Sequence, residues 1–359
     1  MASIVNVSSL TLNPKETQDI SKFIVEKLFQ YPALQAIHGA FQNGVTMKQQ
    51  IVFSGSMGKT GIGRSSCTRV SSGATNALTQ KYWEPAQVAD TFTHCQSDVD
   101  PLFKPYYNGV KKYEDLYDIK GSQWAKFIFS TIMDTQIASV QRYAWLGDTA
   151  VAASGASAAG LKAAGDVKFY DVLDGLWKQI FASSCGHTTT KLAALNALTS
   201  TATQTVLAAG DSVAVFEDML LKADSRLRAD ASAQFLVSRE IFDNYSAYLK
   251  GKGENFTIQF TTEGFKTLSY DGYKVVNMET VWDILLRSDF EQDSTNNAYY
   301  LPNRAIFTTP SNIPLASLNS SDMTSLENWY NQDDAVQKTA FGYTLDAKLL
   351  EDYMIVKAY

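Results

Sequence analysis

The sequence is poor in cysteine and histidine, with three of each among 359 residues. Cys67, Cys95 and Cys185 show no paired spacing, which excludes a disulfide scaffold and is typical of a chain that folds in a reducing cytosol. His94–Cys95 and Cys185–His187 do not form a metal motif, because adjacent residues of an extended chain point to opposite faces and no Cys-x-x-Cys spacing accompanies them. The sequence therefore predicts no metal site.

Long apolar runs and an excess of basic residues are also absent. No run approaches the roughly 18 apolar residues that span a bilayer, and the start at Met1 has neither the basic region nor the apolar stretch of a secretory signal. The formal net charge is −6. Because neutralising phosphates needs a basic face, sequence-independent nucleic-acid binding is disfavoured, and we expect no membrane partner.

Motifs for nucleotide binding or catalysis are missing as well. Gly58-Lys59-Thr60 resembles the end of a phosphate-binding loop, but that motif needs a glycine where Phe53 stands and a helix that Gly61-Ile62-Gly63 would break. The Gly-x-Ser-x-Gly pattern of serine nucleophiles is absent, and no motif supports Cys185 and His187 as nucleophile and base. We predict that the chain is not an enzyme and binds no cofactor.

Carboxylates occur in three clusters whose role the sequence leaves open. Acid pairs bind divalent cations or serve acid–base chemistry in some proteins, whereas most such clusters are solvated surface. A third interpretation, which we prefer for at least one cluster, is a face that receives a basic segment of another copy. The clusters are Glu114, Asp115 and Asp118; Asp289, Glu291 and Asp293; and Asp333 and Asp334.

The most unusual segment is residues 54–80, where 15 of 27 residues are Gly, Ser or Thr. Strand-like runs flank it at Gln50–Phe53 and Lys81–Trp83, which predicts a long hairpin. Structureless connections of this length are usually functional or disordered, and the segment has too little apolar surface to offset its own ordering entropy. We predict that it lies on another subunit; a solvated, disordered loop is the alternative.

The charges of this segment are all basic. Lys59, Arg64 and Arg69 give it +3, which leaves −9 on the rest of the chain. A basic arm on an acidic body suits docking on a neighbouring copy, and salt would screen such contacts. We predict that these three residues and Trp83, in the second flanking strand, contact a neighbouring subunit.

Helical patterns dominate the first half outside this segment. Asn13-Pro14-Lys15-Glu16 has the features of a helix start and predicts a short amphipathic helix that ends before Pro32. The clearest long helix is predicted over residues 121–147, about 25 residues or roughly 38 Å. In residues 149–165, 11 of 17 are Ala or Gly, which predicts a flexible connection at a domain boundary.

The second half mixes helices and strands. Helices are predicted from Asp166 through Ile180, from Asp211 or Ser212 onward, and from Ser238 to Gly251. The predicted strands are residues 233–237, 298–309 and 353–359. Tyr270-Asp271-Gly272-Tyr273 is a strong hairpin-turn signal. Because regular βαβ repetition is absent, the predicted fold class is α+β.

Three stretches and the order of the parts carry a family resemblance. The stretches are Phe235–Ile241 (FLVSREI), Leu268–Val276 (LSYDGYKVV) and Tyr300–Phe307 (YLPNRAIF). They resemble, respectively, the strand-to-helix step of the axial domain, its strand–turn–strand, and the strand that leads back to the peripheral domain in the major capsid proteins of tailed bacteriophages. That family has the Hong Kong 97-type fold, which encapsulin shells share, and the resemblance implies this fold here.

The resemblance also implies a division of the chain. Residues 1–45 would be an N-terminal arm and residues 46–95 the extended loop, a β-hairpin. The peripheral domain, with the long spine helix, would comprise residues 96–165 and 291–335. The axial domain would comprise residues 166–290 and 336–359. Because the arm begins near Met1, a separate scaffolding protein is expected rather than a cleaved scaffolding segment.

The implied function is that of a major capsid protein. Copies would assemble as hexamers and pentamers, in the host bacterial cytoplasm, into the icosahedral head of the virion, which encloses double-stranded DNA without sequence-specific binding. Scaffolding, portal and head-decoration or head-completion proteins are the further expected partners. An encapsulin-type compartment shell is the first alternative, and a soluble enzyme of unfamiliar family is the second.

Some members of the family form Lys–Asn isopeptide crosslinks between loop and body. Lys59 lies in the matching segment, and Asn303 and Asn312 lie in candidate partner segments. The sequence identifies no supporting acid, which leaves the lysine without the activation that a nucleophile needs.

Overall fold

The computed structural model describes residues 32–39, 41–54, 62, 78–94, 123–154, 160–188, 191–198, 200–252, 259–260, 265–292, 298–318, 326–331 and 336–359. The helix predicted after Asn13 and most of the 54–80 segment lie outside these ranges. Among the helices described, none combines the length and apolar character needed to cross a membrane.

The described elements mix helices and strands along the chain. The helices are α1 (Pro32–His38), α2 (Gln123–Leu146), α3 (Ala150–Ser154), α4 (Leu176–Ala182), α5 (Leu192–Asn196), α6 (Thr201–Gln204), α7 (Asp211–Lys222), α8 (Ser225–Ala229), α9 (Arg239–Gly251) and α10 (Ile284–Ser288). Short 3₁₀ turns cover Ala164–Phe169, Pro310–Asn312 and Asp352–Met354, and a π turn covers Glu279–Asp283.

The strands form two larger sheets and one hairpin. They are β1 (Gln42–Val45), β2 (Gln50–Ser54), β3 (Leu78–Tyr82), β4 (Ala86–His94), β5 (Gly186–Thr188), β6 (Gln234–Val237), β7 (Gln259–Phe260), β8 (Lys266–Tyr270), β9 (Tyr273–Asn277), β10 (Ala305–Thr308), β11 (Leu315–Leu318), β12 (Leu326–Asn331), β13 (Val336–Ala347) and β14 (Ile355–Ala358). The hairpin consists of β2 and β3.

The five-stranded sheet is built around the long strand β13. β13 pairs antiparallel with β12 and β4 and, at its C-terminal end, with β11, while β1 runs parallel to β11. The ladder between β13 and β4 is the longest, from Gln337↔His94 to Leu345↔Ala86.

The seven-stranded sheet has the order β5-β14-β10-β6-β9-β8-β7. Its centre is apolar on both faces, as the fully buried strands β6, β10 and β14 require. Successive side chains alternate between two clusters, as the two-residue period of a strand dictates. On β6, Leu236 belongs to the cluster shared with the five-stranded sheet and α2, whereas Phe235 and Val237 belong to the cluster beneath α7 and α9.

Three buried tryptophans occupy the middle of the larger cluster. Trp145 at the end of α2, Trp177 on α4 and Trp282 in the π turn are at most 2% exposed. The ring centroid of Trp282 lies 5.0 Å from that of Trp145 and 5.1 Å from that of Trp177, both edge to face. Such pairs stabilise beyond their buried area, so this cluster ties three separate elements together.

The spine helix predicted over 121–147 is confirmed as α2. The prediction of one helix from Asp166 through Ile180 is wrong. The chain forms a 3₁₀ turn, a bend over residues 171–173 and then α4, which begins after Gly175. The Gly175 N–H donates to the Gly147 carbonyl at 2.8 Å, and a Cβ on Gly175 would lie 2.7 Å from the Gly147 nitrogen. This backbone contact with the end of α2 interrupts the predicted helix.

The connection predicted over residues 149–165 contains more regular structure than expected. It includes α3, and Val151 is 1% exposed within the larger cluster. Lys178 of α4 pairs with Asp148 at 2.6 Å and Asp174 at 2.7 Å. Although burial opposes it, hydrogen bonds from Lys178 and Thr149 lower the pKa of Asp174. These contacts hold the start of the connection against the body.

Other local predictions are confirmed. The strand expected over 233–237 is β6, and the helices expected at Asp211 and Ser238 are α7 and α9. The turn between β8 and β9 has positive φ at Asp271 (48°) and Gly272 (83°), as a two-residue hairpin turn of the primed type requires.

Strand pairing differs from the implied division of the chain at two places. β10 falls in segment 291–335 but lies in the seven-stranded sheet between β6 and β14. β13 falls in segment 336–359 but lies in the five-stranded sheet. Strand order within a sheet depends on contacts between distant residues, which the order along the chain does not reveal.

Candidate functional site

The root of the β2–β3 hairpin is the described part of the predicted extended loop. The strands pair antiparallel from Gln50↔Tyr82 to Ser54↔Leu78, which confirms the strands predicted to flank the loop. Before β2, the Lys48 N–H donates to the Trp83 carbonyl at 2.8 Å, and the Trp83 N–H donates to the Gln49 carbonyl at 3.0 Å. These bonds join the start and end of the hairpin into one closed base.

Trp83 fastens this base to the five-stranded sheet. Its side chain is 2% exposed and packs with Val45 of β1 and Ala316 of β11, next to the partly buried Ile51. A tryptophan of this size dominates the packing of a small cluster. Because the Trp83 side chain is buried within its own subunit, it positions the hairpin on the five-stranded sheet. A contact of Trp83 with a neighbouring subunit stays a prediction.

Polar contacts hold the other side of the root. The Lys81 Nζ donates to the Leu349 carbonyl at 2.6 Å and lies 3.7 Å from the Asp352 carboxylate. The Glu84 N–H donates to Asp346 Oδ2 at 2.7 Å. Burial raises the pKa of Asp346, opposed by Lys348 and by this backbone donor. The root is thus attached to the end of β13 and to the segment between β13 and β14.

The sequence did not identify Lys81 as a positioning residue. It stands in the flanking strand without any motif, and its acceptor on Leu349 lies 268 residues further along the chain. Lys59, Arg64 and Arg69 lie outside the described residues, so their contact with a neighbouring subunit stays a prediction. Beside the root, the side chains of Met47 and Tyr82 are 69% and 43% exposed.

The amides considered for a crosslink are both inaccessible. Asn303 is 0% exposed, and its Nδ2 donates to Asn196 Oδ1 at 3.1 Å and to the Gln204 carbonyl at 2.9 Å. Asn312 is 4% exposed and exchanges hydrogen bonds with the backbone of Glu351. In this conformation neither amide is open to a lysine from a loop.

Of the two residues considered for catalysis, Cys185 is buried and His187 is partly buried. Cys185 is buried, and burial raises the pKa of its thiol, which disfavours the thiolate. The ring of His187 stacks on Tyr359 with centroids 4.3 Å apart, and burial lowers its pKa. Across the described ranges, no group of three or more His, Cys, Asp or Glu side chains is placed to hold a metal ion.

Two buried cations are held by backbone carbonyls. The Lys357 Nζ donates to the carbonyls of Ile180, Phe181 and Ser183 at 2.8 to 3.1 Å, at the C-terminal end of α4. A cation is favourable there because the last carbonyls of a helix lack partners and carry its negative dipole end. Lys357 is 4% exposed, so the bonds join β14 to α4.

Arg304 is the second of these cations. Its Nε and Nη2 donate to the carbonyls of Leu301 and Tyr300 at 2.6 and 3.2 Å, and its guanidinium lies 4.9 Å from the centroid of the Trp177 ring. Burial lowers its pKa to about 10, which leaves it charged at neutral pH. Its bonds hold the loop before β10 against the tryptophan cluster.

Comparison with known proteins gives structural matches alone: no protein-family model matches the chain, and neither does any curated protein. A chain of the satellite phage P4 procapsid structure, which includes the size determination (Sid) protein, matches with a TM-score of 0.54 at 12% identity, over 95% of this chain and 98% of that chain. The capsid of the native GTA particle matches with a TM-score of 0.47 at 14% identity, over 91% and 89% of the two chains. The holo-SrpI encapsulin complex from Synechococcus elongatus PCC 7942 matches with a TM-score of 0.43 at 8% identity, over 100% and 91%.

The procapsid match has the highest score of these three, and at 12% identity it establishes fold. It extends over nearly the whole of both chains, so one architecture accounts for both sheets, the spine helix and the hairpin root. The chain therefore has the α+β Hong Kong 97-type capsid fold.

Proposed function

We propose that this chain is a shell-forming subunit, the major capsid protein of a tailed bacteriophage. Copies assemble as hexamers and pentamers into an icosahedral head around double-stranded DNA. The observation that carries the proposal is the procapsid match over 95% of this chain and 98% of the other. We further propose that the chain has a structural role and no catalytic one.

The hairpin root supports this proposal. β2 and β3 form a two-stranded sheet that pairs with no other described strand, and an isolated hairpin is marginally stable in water. Trp83 and Lys81 nevertheless hold its base firmly on the body. Contact with a neighbouring copy supplies the missing partner surface, and head-to-tail contacts of this kind close into rings.

The proposal extends to domains and partners. The five-stranded sheet with α2 forms the peripheral domain, and the seven-stranded sheet with α7 and α9 forms the axial domain. Assembly takes place in the host cytoplasm with a scaffolding protein, and portal and head-decoration or head-completion proteins join the shell. The net charge of −6 suits an acidic lumen that repels DNA phosphates and so does not stick to the packaged DNA.

Light scattering after size-exclusion chromatography and negative-stain microscopy of the purified chain test the proposal. We expect rings or closed particles. The matched control replaces residues 55–77 with Asn-Gly, a two-residue turn that suits the register Ser54↔Leu78; it should remain folded and fail to form particles. Monodisperse monomers of the parent chain at every salt and protein concentration would contradict the proposal.

The contents of native particles separate a genome-enclosing head from an encapsulin-type compartment. Nuclease-resistant DNA inside the particles is the expected result. Particles that hold protein cargo and no DNA would favour the compartment shell instead.

A further inference from the structure

Three ionisable side chains meet where α9, the π turn and α10 join. Asp283 is 3% exposed, and the side chains of Glu240 and Arg287 are 9% and 25% exposed. Arg287 Nη2 donates to Glu240 Oε1 in a short hydrogen bond and lies 3.8 Å from Asp283 Oδ1. A single guanidinium therefore faces two carboxyl groups.

Asp283 also determines how α9 begins. Its Oδ2 accepts a hydrogen bond from the Arg239 N–H at 3.0 Å, whereas Ser238, at the N-cap position, makes no side-chain cap bond. α10 also contacts the segment that follows α3, because the Lys162 Nζ donates to the Arg287 carbonyl at 3.1 Å. The cluster thus joins α9 and α10 to the segment that follows α3.

When Asp283 and Glu240 are both ionised, the cluster leaves hydrogen-bonding atoms without partners and one negative charge without a counter-ion. Asp283 Oδ1, Glu240 Oε2 and Arg287 Nε are buried and have no hydrogen-bond partner among the described residues. Two carboxylates and one guanidinium leave a net charge of −1 in a buried place, which is unfavourable because the charge is desolvated and uncompensated. A proton on Asp283 removes that charge and adds an O–H donor, while Oδ2 still accepts from Arg239.

The surrounding charges do not supply the missing cation. Arg239 pairs with Asp243 and Glu279, each at 3.5 Å, and Lys266 lies 3.7 Å from Glu279. These side chains are between 31% and 61% exposed, so solvent screens them. On the buried side, Arg304, directly before β10, donates to backbone carbonyls; Asp283 attracts its charge electrostatically, but no ion pair or hydrogen bond joins these two described residues.

We propose that Asp283 is a proton-controlled joint, which holds α9 and α10 together when it is protonated and loosens when it ionises. The ligand is the proton, and the joint acts within one subunit, so it does not depend on shell assembly. It makes the stability of this junction depend on pH near neutrality.

The direction of the pH effect follows from the carboxyl group. Burial raises the pKa of Asp283 from 3.8 to about 7; the Arg239 N–H and Arg287 oppose this, and Glu240 and Glu279 reinforce it. Between these two values the folded chain binds more protons than the unfolded chain. The stability from Asp283 is therefore complete below about pH 3.8, falls as pH rises, and is fully lost above about pH 7.

The test compares the full-length chain with D283N by hydrogen exchange and thermal unfolding from about pH 5 to about pH 9. In the parent chain, protection of peptides covering 239–245 and 279–290, corrected for the intrinsic exchange rate, should fall by up to about tenfold per pH unit as far as about pH 7 and then level off. D283N should lose this dependence. D243N is the matched control, because the Asp243 side chain is 61% exposed on the same helix, and it should keep the parent profile.

All variants are measured in one assembly state. His38, whose pKa burial lowers to about 4 against the hydrogen bond to Ile313, titrates equally in each and cancels in the comparison. Parallel profiles of the parent chain and D283N would overturn the proposal.

E240Q keeps the proposal testable even where D283N does not fold. Removing the Glu240 charge removes one cause of the raised Asp283 pKa, so the pH at which protection stops falling should be lower. The same levelling-off pH in E240Q and the parent chain would overturn the proposed joint.

Discussion

At the scale of single residues, the loop before β10 depends on one glycine. Gly160 has φ of +80°, and Leu301 has φ of 46°. The ring of Tyr300 lies directly over Gly160, where a Cβ would stand 2.5 Å from Tyr300 Cγ. Because Arg304 holds the Tyr300 and Leu301 carbonyls, the loop cannot move aside easily, and only a residue without a side chain fits.

Replacement of Gly160 by alanine should therefore destabilise the fold. We expect a loss of at least about 2 kcal/mol in the free energy of unfolding, from the left-handed backbone and the clash together. Urea unfolding measures it. G165A is the matched control, because a Cβ at Gly165 meets no atom within 4 Å; equal effects of the two substitutions would contradict the steric explanation.

At the scale of elements, the hairpin root decides where the extended loop points. Trp83 holds one side through apolar packing, and Lys81 holds the other through Leu349 and Asp352. The Asp352 carboxylate also accepts from Ser184 Oγ at 3.1 Å. Lys81 therefore attaches the root to the segment that connects β13 of the five-stranded sheet with β14 of the seven-stranded sheet.

We expect K81M to lower particle yield without unfolding the subunit. Methionine keeps the apolar stem of the side chain but removes the donor to Leu349, so the root loses its polar attachment. The free energy of unfolding should change by less than about 1 kcal/mol, because the ion pair is partly exposed. Sedimentation at fixed protein concentration measures the yield, with exposed Lys250 replaced by methionine as control. Unchanged yield in K81M would contradict a role of Lys81 in positioning the root.

At the scale of the whole molecule, charge is distributed unevenly. Residues 54–80 carry +3 and the rest of the chain carries −9. Copies that place this segment on a neighbour bring opposite charges together, and exposed charge pairs are screened within about 10 Å at 0.1 M salt. Assembly through these contacts should therefore depend on ionic strength.

Replacing Lys59, Arg64 and Arg69 with glutamine should reduce both assembly and its salt dependence. Light scattering across a salt series measures both. The control replaces three exposed lysines of the body with glutamine, which changes the net charge equally and should keep the parental salt slope. The control residues are Lys250, Lys252 and Lys274. Salt-insensitive assembly of the parent chain would contradict the electrostatic contribution.

Several elements could be predicted from short-range sequence patterns. The Asp271-Gly272 turn, the buried strand at 233–237 and the end of the spine helix before Gly147 follow from turn residues, apolar runs and helical periodicity. The flanking strands of the hairpin were recognisable for the same reason. Each of these signals involves residues close together in the chain, so neighbouring side chains suffice to specify the outcome.

The remaining features depend on residues far apart in the chain. Gly175 breaks a predicted helix because it meets Gly147, and Asp283, rather than the N-cap residue Ser238, accepts a hydrogen bond from the first N–H of α9. The Trp83 side chain is buried because Val45 of β1 and Ala316 of β11 pack against it. No spacing along the chain encodes these partners, because each contact exists only after the sheets have packed. The amino-acid order alone thus specified the hairpin, the spine and the α+β class, while packing settled which strands share a sheet and which charges are buried.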